Sequence, residues 1–348
     1  MVMTVHLING LHFYFPKVPS IPIGFDMTNL FTEGVWAHNM WYMTSCTVYF
    51  SMLGIAFLMA SEVSLSLWFF VVLYGGIIAV LRYQGFDPWE AMRTQSYGAI
   101  LAMGGYLLFL ARSHLWRAFR MAFGSARDPL DQRYIAYRWV VWGLIFCIAA
   151  CLAWLWASGM PLIVAAAQII LLYLIYLVMA RLVAETGMFF VLPRMWTEHL
   201  FQLLVPYTLS AKTYALVTSS VFPSFYPRET LMPFAFNALR LGHEAGKQEP
   251  HHRDRTAVAV PEASGAFVST LISCIILSLV VAGAVSILLY YSRGAIRTNS
   301  WFAITWCSNQ CDYMVNYLNG IPSMPGHGPA YMAIGAGLIV MLGFFRLR

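Results

Sequence analysis

The chain has 348 residues, of which 60% are hydrophobic and only 10% are charged, and its formal net charge is +6. Soluble globular proteins average about 25% charged residues, so this composition excludes a soluble enzyme, a disordered or fibrous protein and a nucleic-acid binder. In a membrane protein, an excess of basic residues marks the cytoplasmic side. We therefore predict an all-α, polytopic integral membrane protein that lies in a lipid bilayer and binds no nucleic acid.

Long apolar runs predict where the chain crosses the membrane. A helix of about 20 apolar residues spans a bilayer, and continuous runs favour helices over alternating transmembrane strands. Seven segments meet this requirement: Trp41–Ala60, Ser64–Leu81, Gln95–Ala111, Trp139–Ala157, Pro161–Ala180, Gly265–Tyr290 and Pro329–Phe345. The first two are so close together that residues 41–81 are expected to cross the membrane either once or twice.

The distribution of basic residues predicts the orientation of the chain. Most of the 21 Lys and Arg residues fall in 112–138, in 181–263 and at the carboxyl end, which these spans place on one side of the membrane. Basic residues concentrate on the cytoplasmic side of membrane proteins. We therefore predict that the amino terminus lies outside and the carboxyl terminus lies in the cytoplasm.

Composition divides the chain into four predicted segments. Residues 243–262 are polar and highly charged, as in a mobile linker. Trp196–Leu204 and Glu229–Leu241 mix apolar and polar residues at helical spacing, which predicts helices that lie in the membrane interface. The segments are an extracytoplasmic part at 1–40, a block of five spans with the interfacial helices at 41–242, the linker at 243–262 and a two-span block at 263–348.

Small residues recur within three predicted spans. They are Gly98, Gly104 and Gly105 in the third span, Ser278, Ala282 and Ser286 at every fourth position in the sixth, and Ala333, Gly335 and Gly337 in the seventh. Small side chains let the backbones of two membrane helices approach closely. We therefore predict that these spans pack tightly against other helices.

Arg181 and Glu185 lie four residues apart at the end of the fifth predicted span, so they share one face of a helix, and Gly187 follows them. A charge within a spanning segment is costly, so it usually pairs or faces a polar cavity. The pair is therefore either a gate in a substrate pathway or a salt bridge at the cytoplasmic end of the helix. The second interpretation is favoured because Arg181 directly follows the apolar run.

Glu62 is the charged residue between the first two apolar runs. It is either a proton-coupling carboxylate near the bilayer or a solvated turn residue between two spans. The turn is the favoured interpretation.

A polar stretch that contains Asp87, Glu90 and Arg93 precedes the third predicted span, which Gln95 opens. Such a stretch either lines a translocation path, as broken helices do in transporters, or is an ordinary loop, which is favoured. The predicted transport-pathway residues are Glu62, Gln95, Arg181, Glu185 and Gly187.

Recognisable catalytic motifs are absent from the sequence. It has no pattern for a zinc hydrolase, a serine hydrolase, a phosphate-binding loop or a dinucleotide-binding fold. The histidine pair His251-His252 falls in the predicted linker, which favours a solvated loop over a metal site. We therefore predict a protein that is not an enzyme and that carries no cofactor or metal.

Several phrases together resemble a known family. They are NGLHFYFPKVPSIP at 9–22, FTEGVW at 31–36, SLSLWFF at 64–70, RLVAETG at 181–187, RETLMPFAFNALRLG at 228–242 and the closing GAGLIVMLGFFRLR. In this order they resemble an uncharacterised family of large polytopic bacterial membrane proteins, common in planctomycetes, with domains of unknown function. Its members are sometimes labelled peptide transporters.

The resemblance implies a location in the bacterial inner membrane and a role in transport. The family's motif in the fifth span is Arg-Ala-Glu-Gly-Gly, so its roles carry over better to Glu185 and Gly187 than to the more distant Arg181. Family members are about twice as long, so this chain is expected to match the central part of the pattern. It is then either one piece of a split protein or a shortened relative.

The sequence predicts two candidate functions for the protein. The first is a secondary-transporter-like protein that moves a small polar solute or a peptide. The alternative is a non-catalytic, structural or accessory subunit of a larger membrane complex. In either case the expected partners, besides the bilayer, are other membrane subunits or further copies of the chain.

Overall fold

The computed structural model is predominantly helical. It describes residues 2–27, 29, 45–124, 137–186, 195, 197–204, 209–219, 232, 234–235, 237–240, 265–294, 307–320 and 327–346. Its elements are, in chain order, α1 Val2–Tyr14, β1 Gly24–Asp26, β2 Ser45–Thr47, α2 Phe50–Leu58, α3 Ser61–Tyr83, α4 Pro88–Phe123, α5 Tyr137–Ala157, α6 Leu162–Thr186, α7 Thr197–Leu204, α8 Ala211–Ser219, α9 Gly265–Arg293, α10 Cys307–Leu318 and α11 Gly328–Arg346.

Five of the described helices are long and apolar enough to cross a membrane: α3, α4, α5, α6 and α9. They coincide with the second to sixth predicted spans. The shorter apolar helix α11 covers most of the seventh. The prediction of an all-α, polytopic membrane protein is confirmed.

The first predicted span, 41–60, differs from the structure in its described part. Residues 45–47 form strand β2, and α2 has only nine residues. A helix of nine residues is about 14 Å long, less than half the thickness of the hydrocarbon core. Hydropathy alone missed the strand, which ends at Thr47, a β-branched residue of a kind that favours extended backbone. The described part of 41–81 therefore contains one span-length helix, α3.

Helix α4 is twice as long as the third predicted span. Its 36 residues take in Glu90 and Arg93, which the sequence placed in a loop, and they continue to Phe123. The segment after Pro88 contains no proline and is rich in good helix formers such as Ala, Leu, Met and Arg, so the helix runs beyond the apolar stretch. The loop interpretation of residues 90–93 is wrong.

The chain forms two compact units, the first of which comprises residues 1–92 with 186–188. In this unit β1 and β2 pair antiparallel, with Phe25 opposite Cys46. Asn9 on α1 fixes the segment before β1, because its side chain donates to the Ile21 carbonyl at 2.9 Å and accepts from the Ile21 amide at 2.7 Å. His6 also packs edge-on against Phe50 of α2 at a ring distance of 5.9 Å.

The second unit comprises residues 93–185 and 189–348, and its main core lies where α4, α6 and α7 meet. Tyr97 of α4, Ile175 of α6 and Leu200 of α7 are buried there. Helix α7 coincides with the predicted interfacial helix Trp196–Leu204, and its residues 197–201 are buried in this unit. Its position at the membrane interface stays a prediction.

Helices α4 and α11 cross with their backbones in contact. A Cβ atom added to Gly98 would lie 1.9 Å from the Met332 carbonyl oxygen, and one added to Gly335 would lie 1.9 Å from the Gln95 carbonyl oxygen. Only glycine fits at these two positions. The predicted close packing is confirmed for Gly98 and Gly335, whereas an added Cβ at Gly105 would meet nothing within 4 Å.

The predicted linker at 243–262 lies outside the described residues, and so does most of the predicted interfacial helix Glu229–Leu241. Its described part, 237–240, is helical. The four-segment division of the chain stays a prediction.

Candidate functional site

Three consecutive polar residues of the second unit are fully buried at the start of α7. Thr197, Glu198 and His199 are all 0% exposed. The next two residues explain this burial, since Leu200 packs into the core formed with α4 and α6, and Phe201 packs into a second core beside Met160. The packing of Leu200 and Phe201 therefore buries the polar first turn of α7.

Side chains from α4 and α6 surround this polar turn. Gln168 of α6 is 0% exposed, and its side-chain amide donates a hydrogen bond of 3.1 Å to the Thr197 hydroxyl. The hydroxyl oxygen of Tyr97 lies 3.5 Å from Nδ1 of His199, at the long limit of a hydrogen bond. Arg93 lies one helical turn before Tyr97, on the same face of α4. We call Arg93, Tyr97, Gln168, Thr197, Glu198 and His199 the buried polar centre.

The Glu198 carboxyl group is the unusual member of this centre. Among the described residues, neither of its two buried oxygens has a hydrogen-bond partner, and the buried Nε of Arg93 has none either. No salt bridge joins these two residues, both of which the structure describes. Burial raises the pKa of Glu198 to about 8, although its own backbone N–H and the positive charge of Arg93 both oppose the shift.

The neighbouring His199 is affected in the opposite sense. Burial lowers its pKa to about 3, and the positive charge of Arg93 adds to the effect. Burial penalises the charged form of every ionisable group, so the carboxyl group retains its proton and the imidazole loses its own. At neutral pH Glu198 and His199 are therefore both uncharged, and Arg93 carries the positive charge of the centre.

The predicted pair Arg181–Glu185 forms a salt bridge of 2.5 Å near the end of α6. Its side chains are 50% and 29% exposed, respectively. Arg240 also donates a hydrogen bond to the Ala184 carbonyl beside the pair. This geometry is that of a partly exposed helix-end salt bridge, and a role in a pathway stays a prediction.

The other predicted pathway residues lie apart from the buried polar centre. Glu62 is exposed in the first turn of α3, in the first unit. Gln95 is partly buried on α4, and its carbonyl faces the crossing with α11. Gly187 lies outside the described residues.

Glu198, His199 and Gln168 are not among the site residues predicted from the sequence. One available signal was Gln168, a polar side chain in the middle of an apolar span, since such residues usually face a protein interior. Glu198 itself gave no comparable signal because α7, taken alone, resembles an amphipathic surface helix. Only the packing of α7 between other helices makes its glutamate a buried one.

The described residues contain no group of three or more His, Cys, Asp or Glu side chains that could hold a metal ion. Within them, Glu198 and His199 are adjacent residues rather than a chelating cluster. The Glu198 carboxyl group of this centre can bind and release a proton. Once ionised, it can instead contact the Arg93 guanidinium.

Comparison with known proteins gives a family but no function. No curated protein and no solved structure matches the chain. One family model, described as a family of unknown function (DUF6785), matches residues 1–348. The predicted resemblance to an uncharacterised family is confirmed at this level, and the chain belongs to the DUF6785 family of unknown function.

Proposed function

We propose that this protein is a secondary-transporter-like membrane protein that moves a small polar solute or a peptide and is not an enzyme. The observation that carries the proposal is Glu198, a fully buried carboxyl group without a hydrogen-bond partner, among membrane-length helices. A buried ionisable group is expensive, and in membrane proteins such groups are characteristic of ion and substrate pathways.

The packing around Glu198 supports this assignment. The group lies where a short helix meets two long helices, and one of these, α4, touches α11 through glycines. Glycine contacts let the backbones of two membrane helices approach closely, so α4 and α11 form one tightly packed pair. In this proposal Gln95 lies at that crossing, beside the pathway.

The proposal also includes the membrane location, the orientation and the pathway residues that the sequence predicts. The protein lies in the bacterial inner membrane, with its amino terminus outside and its carboxyl terminus in the cytoplasm. The Arg181–Glu185 salt bridge lies at the cytoplasmic end of the pathway, together with Gly187. Glu62 lies outside the buried polar centre and is a secondary candidate for the pathway.

Uptake by reconstituted vesicles tests the proposal. The purified full chain is placed in liposomes, an ion gradient is imposed, and radiolabelled amino acids, dipeptides, sugars and organic acids are offered in turn. At least one solute should accumulate above the level in protein-free liposomes, and Glu198→Gln should abolish this accumulation. Equal accumulation with and without protein for every solute would contradict the proposal.

The alternative function is an accessory subunit of a larger membrane complex. A specific observation favours it: in α9, the apolar stretch Val268–Leu289 is nowhere buried by the described residues. A helix of this kind is covered either by lipid or by other membrane subunits or further copies of the chain.

Native mass spectrometry after extraction in a mild detergent separates the two functions. A stoichiometric companion chain would favour the subunit, whereas a lone chain or a homo-oligomer would favour the transporter. Solute flux by the isolated chain would exclude the accessory role as its complete function.

A further inference from the structure

The buried polar centre contains two complementary groups that do not meet. Glu198 offers two carboxyl oxygens without a partner, and Arg93 offers a buried Nε without a partner. Their charges still interact across the intervening space. Ordinarily a buried carboxylate and a nearby guanidinium form a short bidentate contact, because each then satisfies the other.

A buried carboxyl group can be stabilised in two ways. It can hold a proton and become neutral, or it can ionise and contact a cation. The separation from Arg93 favours the first state in this structure, and the raised pKa of Glu198 agrees with it. If Arg93 moved closer to Glu198, the ionised carboxylate would be favoured and the proton would be released.

We infer that Glu198 is a proton-binding site at which the carboxyl group is held alternately by a proton and by the Arg93 guanidinium. In the forward step the O–H bond of the carboxyl group breaks, the electron pair stays on the carboxylate, and the proton passes to water. Arg93 keeps its charge throughout, and nothing is oxidised or reduced. The coupling ion of the transporter is then the proton, a conclusion that rests on the proposed function.

The other titratable groups of the neighbourhood do not replace Arg93 in this role. Tyr97 on α4 and His199 on α7 are buried, and the lowered pKa of His199 keeps it neutral. Helix α6 contributes the uncharged Gln168, and α8, which packs against α7, contributes the buried Tyr214. Arg93 is therefore the positive group that acts on Glu198.

The position of Arg93 suits a switch. It lies on the same face of α4 as Tyr97, which reaches His199 directly beside Glu198. A rotation or slide of α4 would therefore move Arg93 relative to Glu198 while the Gln168–Thr197 hydrogen bond keeps α7 attached to α6. The glycine crossing on the same helix, at Gly98, brings α4 into direct backbone contact with α11, so a movement of α11 would be passed to α4.

Infrared difference spectroscopy of the purified full chain tests this inference without any solute. The carbonyl stretch of a protonated carboxyl group is followed while the pH is raised. The wild type should lose one such band with a midpoint near the Glu198 pKa of about 8. Glu198→Gln should lack the titrating band, and the matched control Glu185→Gln should keep it.

A variant of Arg93 tests whether its guanidinium acts on Glu198. Arg93→Gln removes the charge that lowers the Glu198 pKa, so the midpoint of the band should move to higher pH, whereas Arg93→Lys should leave it closer to the wild type. This variant also serves if Glu198→Gln fails to fold. A band that persists in folded Glu198→Gln, or no titrating band in the wild type, would overturn proton binding at Glu198.

An unmoved midpoint in Arg93→Gln would overturn the alternation with arginine. These results are distinct from a failure of the proposed function. The spectra require no transport, so a titrating Glu198 in a chain that moves no solute would contradict the transporter and leave the proton site intact.

Discussion

The two glutamates at positions 185 and 198 have opposite surroundings although they lie only 13 positions apart, Glu185 near the end of α6 and Glu198 in the first turn of α7. Glu185 has an arginine at 2.5 Å but remains partly open to its surroundings. Glu198 is fully enclosed, and its carboxyl oxygens have no hydrogen-bond partner. The glutamate with an ion-pair partner is therefore the more exposed one.

The ion pairing of a carboxylate and its burial are therefore separate properties with separate consequences. A partly exposed ion pair is screened by its surroundings and contributes little. A buried group without a partner has its protonation decided by the protein, and it can therefore respond to a movement of its neighbours. The buried polar centre, rather than the salt bridge, is where we expect chemistry.

The largest expected effect comes from the crossing that positions α4, the helix that carries Arg93. Gly335→Ala would place a methyl group 1.9 Å from the Gln95 carbonyl, so the two backbones must separate. Overpacking costs about 1–3 kcal/mol and more where backbone must move. Thermal unfolding in detergent should show a clear destabilisation, and the infrared midpoint of Glu198 should change.

The matched control for this crossing is Gly337→Ala on the same helix, where an added Cβ meets nothing within 4 Å. It should unfold at the temperature of the wild type or slightly above. Equal destabilisation by both variants would show that the crossing does not form as described.

A smaller effect is expected from the hydrogen bond that attaches α7 to α6. Thr197→Val keeps the shape of the side chain but removes the hydroxyl that accepts from Gln168. Loss of one partner of a buried hydrogen bond costs about 1–3 kcal/mol. The exposed Ser219→Ala, which removes only a hydroxyl bonded to the Leu216 carbonyl, should change the unfolding temperature less.

The smallest effect is expected at Glu185, the partly exposed glutamate. Glu185→Gln breaks the Arg181 salt bridge, but a partly exposed pair contributes less than about 1 kcal/mol. The remaining loss should shrink further in high salt. A salt-independent loss as large as that of Thr197→Val would mean that this pair is buried, and the contrast with Glu198 would fail.

Much of this architecture could be predicted from sequence, because membrane spans are defined by local hydropathy. The span positions of α3, α5, α6 and α9 were evident for that reason, and so was the Arg181–Glu185 pair, whose partners are separated by one helical turn. The close approach at Gly98 and Gly335 was also indicated by residue size. Each of these features depends on residues that are near one another in the chain.

The buried polar centre could not be predicted because its members are far apart in sequence. Arg93, Gln168 and Glu198 belong to three helices, and their meeting depends on tertiary packing. The amphipathic pattern of α7 is equally compatible with a membrane surface and with a protein interior. Likewise, the length of α4 depends on helix propensity beyond the apolar stretch, which hydropathy does not measure.

The pKa values of Glu198 and His199 predict how the free energy of unfolding depends on pH. Glu198 has a pKa of about 8 when folded, above its ordinary 4.5, so its contribution to stability is present at low pH and is lost as the pH rises toward 8. His199 has a pKa of about 3 when folded, below its ordinary 6.5, so its contribution is lost as the pH falls from 6.5 toward 3. Of these two groups, Glu198 is the one whose contribution changes between pH 6.5 and 8.

The most direct test is thermal unfolding of the wild type, Glu198→Gln and Glu185→Gln between pH 6.5 and 8. One proton changes the free energy of unfolding by at most about 1.4 kcal/mol per pH unit. The account predicts that the wild type and Glu185→Gln lose stability as the pH rises, and that Glu198→Gln lacks this loss. An identical decline in all three proteins would contradict a buried, protonated Glu198.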